Sequence, residues 1–372
     1  MKISDIEVYP LSLPMKQDYH IAGGSVGDQQ KRAPHVYVKI TSDTEEEGWG
    51  EARPSHRWSY ETLESAVTTL NNYIKPILIE ENAEDLQKIH KKMDRQIASG
   101  LAIGQPIAKA AVDMALHDLI GKHRKQSLTS LWGGMPKKNI NLSYLISTSD
   151  PEKAFAKAKY AKEQGYLGVD VKIGLNPKQD AAILEAVKEA APELFFRTDA
   201  NQCYNLPQAV QLSKKMEQIG IDVFEQPLPA EDLKGHAELR RKVNIPIALD
   251  ESIWGPGNLL QALRLEACDL VVIKTTKMGG LRKARLCGEI AREANIGLLG
   301  GGLTDSSLGL MASAHLFNYL DIDTPVDLNG PMFLEDDPVE NGPQIDGGNV
   351  ELSCGYGIGC WVDMDKLIAF SV

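Results

Sequence analysis

Three acidic residues recur along the middle of this chain at nearly equal spacing. Asp199, Glu225 and Asp250 each follow a short apolar stretch, and 26 and 25 residues separate them. One strand, one loop and one helix of a repeating βα unit occupy about this length. Three successive parallel strands would therefore deliver three carboxylates to one edge of a sheet. Hard oxygen ligands gathered in this way suit Mg²⁺.

Helix capping is the alternative interpretation of these acids. An Asp that follows a strand often begins the next helix, which would account for Asp199 or Asp250 singly. Glu is a poor cap, and Glu225 is followed by Gln226 and Pro227. Taken together, the three residues favour a metal site over three separate caps.

Two lysines lie one βα period outside the three acids. Lys172 lies near the end of LGVDVKIG and Lys274 lies in LVVIKTTKMGG, so both stand in apolar runs where a solvated lysine is unusual. In a barrel they would come from the second and sixth strands and approach a central ligand from opposite sides. Burial and a nearby divalent cation both lower the pKa of an ammonium group, as a general base requires. The alternative is a structural ion pair with a carboxylate of a neighbouring strand.

The elements that must position these residues alternate regularly between short strands and helices. From INLSYLIS to TPVDLNG, eight apolar segments alternate with helical ones. This rhythm predicts an α/β fold in which residues 131–345 form a (β/α)7–8 TIM-like barrel. Residues 1–130 contain two strand-like runs followed by helices and predict an α+β capping domain. Residues 346–372 would return to complete that domain.

These motifs resemble those of a known family. Lys172, Asp199, Glu225, Asp250 and Lys274, set in DANQ, EQP, DES and KMGGL, resemble the muconate-lactonising, or muconate cycloisomerase, subgroup of the enolase superfamily. EEGWGEARP, AAVDMALHDLIGK and GYGIG extend the resemblance over nearly the whole chain. The resemblance implies three carboxylate ligands for Mg²⁺, with Mn²⁺ as an alternative ion, and two catalytic lysines.

The implied reaction begins with removal of the proton α to a substrate carboxylate, because a metal ion stabilises the resulting enediolate. With a lysine on each face, the consequence is racemisation or epimerisation. The chain resembles epimerases of amino-acid derivatives, so a dipeptide, an N-acyl amino acid or a proline-like compound is the expected substrate. A muconate-type cycloisomerase and a syn-dehydratase use the same half-reaction. A non-catalytic family member is the alternative from a different class.

Asp170 departs from the pattern of the subgroup, which usually has Lys-x-Lys on the second barrel strand. Residues two apart on a strand point to the same face, so Asp170 should lie beside Lys172. A carboxylate there raises the pKa of the ammonium group, which is unfavourable for a base. Either Mg²⁺ offsets this effect, or Asp170 binds a cationic part of the substrate, or Lys172 serves mainly as the acid. A simple ion pair is the fourth interpretation.

The last two strand segments are expected to contribute substrate contacts. In GGGLTDSSLG, Asp305 stands where the family usually has a longer Glu. VDLNGP is similar to the Asp-x-Asp segment by which dipeptide epimerases hold a substrate ammonium group. Asp327 matches the first Asp, and Asn329 replaces the second. This similarity predicts an amino or other cationic nitrogen group on the substrate.

Loops of the capping domain are expected to cover the barrel mouth. In the first, YHIAGGSVGDQQKR, Gly23 and Gly24 would permit motion and His20 could touch substrate. In the second, RPSHRWSYE, the candidate contacts are Arg53, His56 and Trp58, of which Trp58 is the predicted one. Solvated loop charges and a packed tryptophan are the alternative interpretations.

Composition is typical of an ordinary soluble enzyme. A net charge of -11 and a pI near 5.3 argue against nucleic acid or an anionic membrane as partner. No stretch reaches the ~18 apolar residues of a membrane span, and no signal peptide is expected at the N-terminus. Five scattered cysteines predict reduced thiols and a cytoplasmic location. The resemblance implies a homo-oligomer, either a dimer or an octamer.

The histidines argue against the mandelate-racemase and sugar-acid dehydratase branches, which employ a His-Asp pair late in the barrel. His315 falls on the helix after the seventh strand and is expected to be structural. His117 lies in an amphipathic helix and is expected to be a core or interface residue.

Overall fold

A computed structural model describes residues 1–21, 24–27, 29–30, 32–100, 103–137 and 139–372. The chain begins with strands β1 (Ile3–Leu13), β2 (Tyr19–Ile21), β3 (Gly24–Gly27), β4 (Ala33–Ser42) and β5 (Glu47–Ala52). An antiparallel sheet forms in the order β1-β4-β5, and β2 pairs with β3 in a separate hairpin. Helices then cover one face of the larger sheet.

These helices are α1 (Leu63–Thr68), a π-helical segment (Thr69–Ile74), α2 (Lys75–Leu78), α3 (Leu86–Gln96), α4 (Pro106–His123) and α5 (Leu128–Leu131). Helix α4 packs tightly on β5 because two glycines of the strand leave room for its backbone. A Cβ atom on Gly50 would lie 2.0 Å from the carbonyl oxygen of Ala111. Such a backbone approach excludes any larger residue there.

The second part of the chain alternates strands and helices. Its strands are β6 (Asn139–Asn141), β7 (Ser143–Ser147), β8 (Gly168–Lys172), β9 (Phe195–Asp199), β10 (Val223–Glu225), β11 (Ile247–Leu249), β12 (Leu270–Ile273) and β13 (Gly297–Gly300). Its helices are α6 (Pro151–Glu163), α7 (Pro177–Ala190), α8 (Leu206–Ile219), α9 (Leu233–Lys242), α10 (Pro256–Arg264), α11 (Leu281–Glu293) and α12 (Ser307–Tyr319). Strands β7 to β13 form a curled, parallel sheet in chain order, so the predicted α/β arrangement of a capping part and a barrel part is present.

The eighth predicted barrel strand is reduced to single bridges. Val326 pairs with Leu142 and Asp327 pairs with Gly301, one bridge on each edge of the curled sheet. Among the described residues, this sheet therefore has seven strands, and a full eighth strand was not found. Pro325 explains part of the difference, because proline has no N–H group to extend a ladder.

The end of the chain contacts the capping part. Its elements are α13 (Gly330–Phe333), β14 (Ile345–Asp346), β15 (Asn349–Glu351) and α14 (Met364–Phe370). Strand β15 pairs antiparallel with β6. After α14, Ser371 forms a bridge with Leu11 of β1, and the backbone N–H of Val372 donates to the carbonyl of Pro10 at 3.0 Å. Among the helices of the described residues, none has the length and apolar character needed to cross a membrane.

Candidate active site

Strand register brings the predicted residues to one edge of the curled sheet. Lys172, Asp199 and Glu225 are direct register partners at the carboxyl ends of β8, β9 and β10. Asp250 directly follows β11, and Lys274 directly follows β12. All five side chains are buried or nearly so. Ends of parallel strands are where chemistry is expected in this architecture.

Lys172 is surrounded by carboxylates. Its ammonium group donates to Asp170 at 2.9 Å and to Asp199 at 2.8 Å, and it lies 3.8 Å from Asp327. Burial lowers the pKa of Lys172, but Asp170 and Asp199 outweigh that effect and raise it well above its ordinary value. Asp170 therefore lies beside Lys172, as the strand period predicts.

Lys274 has a different environment. Its ammonium group donates to Asp250 at 2.6 Å and lies 4.8 Å from the centre of the Trp58 ring, a cation–π contact. Lys277 donates to the other carboxylate oxygen of Asp250 at 2.6 Å. Burial would raise the pKa of Asp250, yet the two lysines hold it below its ordinary value. Asp250 thus pairs with two cationic side chains of the segment that follows β12.

Glu225 is paired on one side only. Arg197 of β9 donates through Nε to Oε2 of Glu225, whereas Oε1 has no hydrogen-bond partner although it is buried. Burial raises the pKa of Glu225 to about 7, and the charges of Asp199 and Asp250 add to this increase against the opposing effect of Arg197. A buried carboxylate oxygen without a donor is costly and calls for a cation.

The strand-end cluster carries more negative than positive groups. We define this cluster as Asp170, Asp199, Glu225, Asp250, Glu251 and Asp327, together with Lys172, Arg197, Lys274 and Lys277. Six carboxylates thus face four cationic side chains, so full ionisation leaves two negative charges uncompensated. Burial and neighbouring carboxylates accordingly raise the pKa of Glu251 to about 8. This excess equals the charge of one divalent cation.

The donor set fits Mg²⁺, although the side chains are not arranged around one point. Within the described ranges, no three acidic, histidine or cysteine side chains meet at ligating distance. Asp199 and Asp250 instead bond to ammonium groups, and Glu225 bonds to Arg197. The chemistry of the donors, all carboxylate oxygens, and the unpartnered Oε1 of Glu225 suit a hard cation.

A pocket lies over these strand ends, and residues of the capping part form part of its wall. It is lined by Tyr19, Ile21, Arg53, Ser55, Trp58, Lys172, Asp199, Asn201, Lys274, Gly302, Leu303, Thr304 and Asp327. Both lysines, Trp58 and Asp327 therefore share one pocket. Asp170, Asp305 and Asn329 do not line it. Asn329 donates to Asp327 at 3.0 Å, so it contacts a lining residue from behind.

Asp305 does not line the pocket, but it supports a turn whose residues do. Its carboxylate accepts hydrogen bonds from the hydroxyl of Thr276 and the backbone of Leu303, both at 3.0 Å. Thr304 adopts a φ of +66°, a strained backbone for a β-branched residue. Its carbonyl lies 3.2 Å from Nε2 of His35 in β4. The capping part thus helps to hold a turn that faces the pocket.

Several residues near the site were not singled out from the sequence. Arg197 and Glu251 belong to the cluster, and Asn201 donates to both Asp199 at 3.0 Å and Glu251 at 3.1 Å. Asn201 and Lys277 lie in the quoted motifs DANQ and KTTKMGG, so their signal was present. Arg197 carried a signal too, because it is a charged residue inside the apolar run LFFRTDA.

Other predicted residues lie away from the pocket or outside the part of the chain that the structure describes. His56 is exposed and does not line the pocket. Gly23 and the side chain of His20 lie outside the described residues. His315 is buried and contacts Thr129 of α5 at 3.1 Å, which is consistent with its expected structural role.

Comparison with known families agrees with this geometry. The model for "Mandelate racemase / muconate lactonizing enzyme, N-terminal domain" matches residues 5–133, and the model "Enolase C-terminal domain-like" matches residues 153–366. The chain belongs to the mandelate racemase and muconate lactonizing enzyme family. The predicted membership of the enolase superfamily is thereby confirmed.

Relatives of known activity in this family are isomerases, as predicted. N-succinyl-L-Arg/Lys racemase from Bacillus cereus is 32% identical over 89% of this chain and 88% of that protein. Muconate cycloisomerase 1 from Rhodococcus opacus is 28% identical over 99% of this chain and 98% of that protein. The structure of a dipeptide epimerase from Enterococcus faecalis, complexed with Mg and L-Leu-L-Tyr, has a TM-score of 0.90. The two sequences are 28% identical, and the match covers 97% of this chain and 99% of the epimerase chain.

Proposed function

We propose that this protein removes the proton α to a substrate carboxylate through an enediolate and thereby racemises or epimerises an amino-acid derivative. Dipeptides, N-acyl amino acids and proline-like compounds are the candidate substrates. The observation that carries the proposal is one pocket lined by two buried lysines, beside a cluster in which six carboxylates face four cationic side chains. Relatives that racemise or epimerise such compounds support it.

We assign Asp199, Glu225 and Asp250 as the ligands of Mg²⁺, with Mn²⁺ as an alternative ion. When bound, this ion would hold the substrate carboxylate and stabilise the negative charge that develops on its oxygens. The unpartnered oxygen of Glu225 and the excess of carboxylates support the assignment. Direct titration of Mg²⁺ into the protein tests it without any need for turnover.

The two lysines perform the proton transfers. One ammonium group, once deprotonated, accepts the α-proton, and the other donates a proton to the opposite face of the same carbon. The roles exchange for the other stereoisomer, as an epimerase requires. Asp170 holds the Lys172 side chain in place through a 2.9 Å hydrogen bond. The Trp58 ring covers Lys274 and restricts the access of water to it.

The remaining candidates position the substrate. Asp327 lines the pocket and would pair with a cationic nitrogen group, while Asn329 orients its carboxylate. Asp305 fixes the turn that forms one wall of the pocket. An Asp327→Asn variant with an unchanged KM for a cationic substrate would remove the first of these roles.

Cycloisomerisation is the second candidate reaction, because a muconate cycloisomerase is among the relatives. Syn-dehydration would use the same lysines. The decisive experiment is incubation of the protein with Mg²⁺ in D₂O and a panel of dipeptides, N-acyl amino acids, proline derivatives and lactones. Incorporation of α-deuterium with change of configuration is expected. Ring opening or loss of water would select another reaction, and loss of Mg²⁺ affinity in the wild-type protein would favour a non-catalytic protein.

The organisation of the chain forms part of the same proposal. We assign residues 1–130 to a capping domain, residues 131–345 to a barrel of seven or eight βα units and residues 346–372 to a segment that returns to the cap. We further assign the protein to the cytoplasm, because its five cysteines form no disulfide among the described residues. Exposed Trp361 and Ile368 near the C-terminus support a homo-oligomer, a dimer or an octamer, and sedimentation would test it.

A further inference from the structure

A groove adjoins the pocket and offers most of the space for a substrate. Tyr19, Ile21 and Lys172 line both cavities, so the two cavities are direct neighbours. The pocket has a volume of about 30 Å³, whereas the groove has about 370 Å³. Sites for small molecules usually need at least about 300 Å³. The part of a substrate that extends beyond its reacting carbon would therefore lie in the groove.

Lys157, which lines this groove, is a partly buried cation without a counter-charge among the described residues. It lies on α6 and is half-buried, yet among the described residues it has no hydrogen bond or ion pair. Burial lowers the pKa of Lys157, and the charge of Lys153 adds to this effect. A partly desolvated ammonium group without a counter-charge is unfavourable. An anionic ligand that pairs with this ammonium group would therefore be stabilising.

The other polar groups of the groove are compatible with an anion. Tyr144, Thr148 and Ser149 bring hydroxyl groups that can donate hydrogen bonds. The carboxylate of Asp18 lies at the exposed rim, where it already accepts the backbone N–H of Gln29 at 2.9 Å. Lys172 has its own carboxylate partners. Lys157 is therefore the cation available for a new charge pair.

We propose that the groove binds a second, distal carboxylate on the substrate, which pairs with Lys157. The substrate class becomes an amino-acid derivative whose acyl group or side chain ends in a carboxylate. The inference rests on the proposed function, because the first carboxylate has to lie at the strand-end cluster for the rest of the molecule to enter the groove.

Calorimetric binding of two matched ligands tests this inference in the presence of Mg²⁺. N-succinylglycine ends in a carboxylate, and N-succinamoylglycine has a neutral amide of the same shape. We expect the wild-type protein to bind the succinyl compound about tenfold more tightly, a typical effect of one partly buried charge pair. Lys157→Met should abolish this preference without changing the affinity for the amide. Lys153→Met, on an exposed residue of the same helix that does not line the groove, should preserve it.

Three results would overturn the inference: equal affinities in the wild-type protein, undetectable binding of both ligands, or a preference that survives Lys157→Met in a folded variant. The readout is binding, so it is independent of turnover. If the preference depends on Lys157 but no α-deuterium enters N-succinyl-L-amino acids, the proposed reaction fails and the groove assignment stands. If exchange occurs and the preference is absent, the groove assignment alone fails.

Discussion

Two buried regions of this molecule are rich in charge, and they differ in how completely the charges are paired. In the first, the strand-end cluster, six carboxylates face four cationic side chains and Oε1 of Glu225 has no donor. In the second, where α4 of the capping part meets α11, both oxygens of Asp113 are occupied. His90 lies 2.5 Å from one of them, and the backbone N–H of Arg282 donates to the other at 3.1 Å.

The difference separates a site from a structural contact. Close packing at the second region leaves no room for a ligand, since a Cβ atom on Gly280 would lie 2.3 Å from the carboxylate of Asp113. The strand-end cluster instead borders a pocket and a groove. Buried carboxylates are equally costly in both regions. A carboxylate with both oxygens occupied joins two parts of the fold, whereas a carboxylate with an unpartnered oxygen beside a cavity indicates that a ligand completes the set.

The largest expected effect follows from removal of either lysine. Lys172→Ala and Lys274→Ala should each lower kcat for epimerisation by about 10²–10⁴-fold, the usual contribution of a general acid or base. Lys277→Ala is the matched comparison, because Lys277 also contacts Asp250 but does not line the pocket. Retention of full epimerase activity in a folded Lys172→Ala or Lys274→Ala variant would contradict the two-base mechanism.

Asp113→Asn should weaken the contact between the two parts of the chain. Removal of a buried carboxylate from its hydrogen-bonded partners costs about 3 kcal/mol in the free energy of unfolding. Neighbouring His117 and His90 overcome burial and hold the pKa of Asp113 well below its ordinary value of 3.8. Its stabilising effect is therefore present above that pH and is lost as the pH falls below it.

Denaturant unfolding of the wild-type protein and Asp113→Asn over a range of pH measures this effect. The difference in unfolding free energy between the wild-type protein and Asp113→Asn should become smaller at acid pH. Asp323→Asn, at an exposed surface ion pair, is the control and should change the unfolding free energy by less than about 0.5 kcal/mol. An equal loss in the control would show that the Asp113 contact has no special role.

Glu225→Gln should weaken the binding of Mg²⁺ because it removes one negative charge from the strand-end cluster. We expect a loss of affinity of at least 10–100-fold, the range found when even an outer partner of a metal ligand is removed. Calorimetric titration of Mg²⁺ checks this. Glu185→Gln, on the exposed face of α7, should bind as the wild-type protein does. Unchanged affinity in Glu225→Gln would remove this residue from the ligand set.

Trp58→Leu should have the smallest effect. The cation–π contact with Lys274 is worth about 0.5–2 kcal/mol, so kcat/KM should fall by about 2–30-fold. Tyr60→Leu changes another aromatic residue of the same loop that does not line the pocket, and it should leave kcat/KM within about twofold of the wild-type value. Equal effects of the two changes would assign Trp58 to packing alone.

Much of the candidate site could be predicted because it depends on local patterns. The spacing of Asp199, Glu225 and Asp250 reflects the length of one βα unit, and parallel register then brings the strand ends together. The position of Asp170 beside Lys172 followed from the two-residue period of a strand. The prediction of seven or eight strands left the eighth strand open, because an apolar segment does not reveal whether its neighbours supply a full ladder.

The sequence by itself determined the family, the order of strands and helices, and which carboxylates and lysines meet at one rim, because these depend on short periods and on covalent order. Only the tertiary structure decided how the charges pair. Arg197 joins Glu225, Lys277 joins Asp250, and Lys157 faces a groove without a partner. Such contacts depend on distances between residues far apart in the chain, on side-chain direction and on burial. These quantities exist only once the chain has packed.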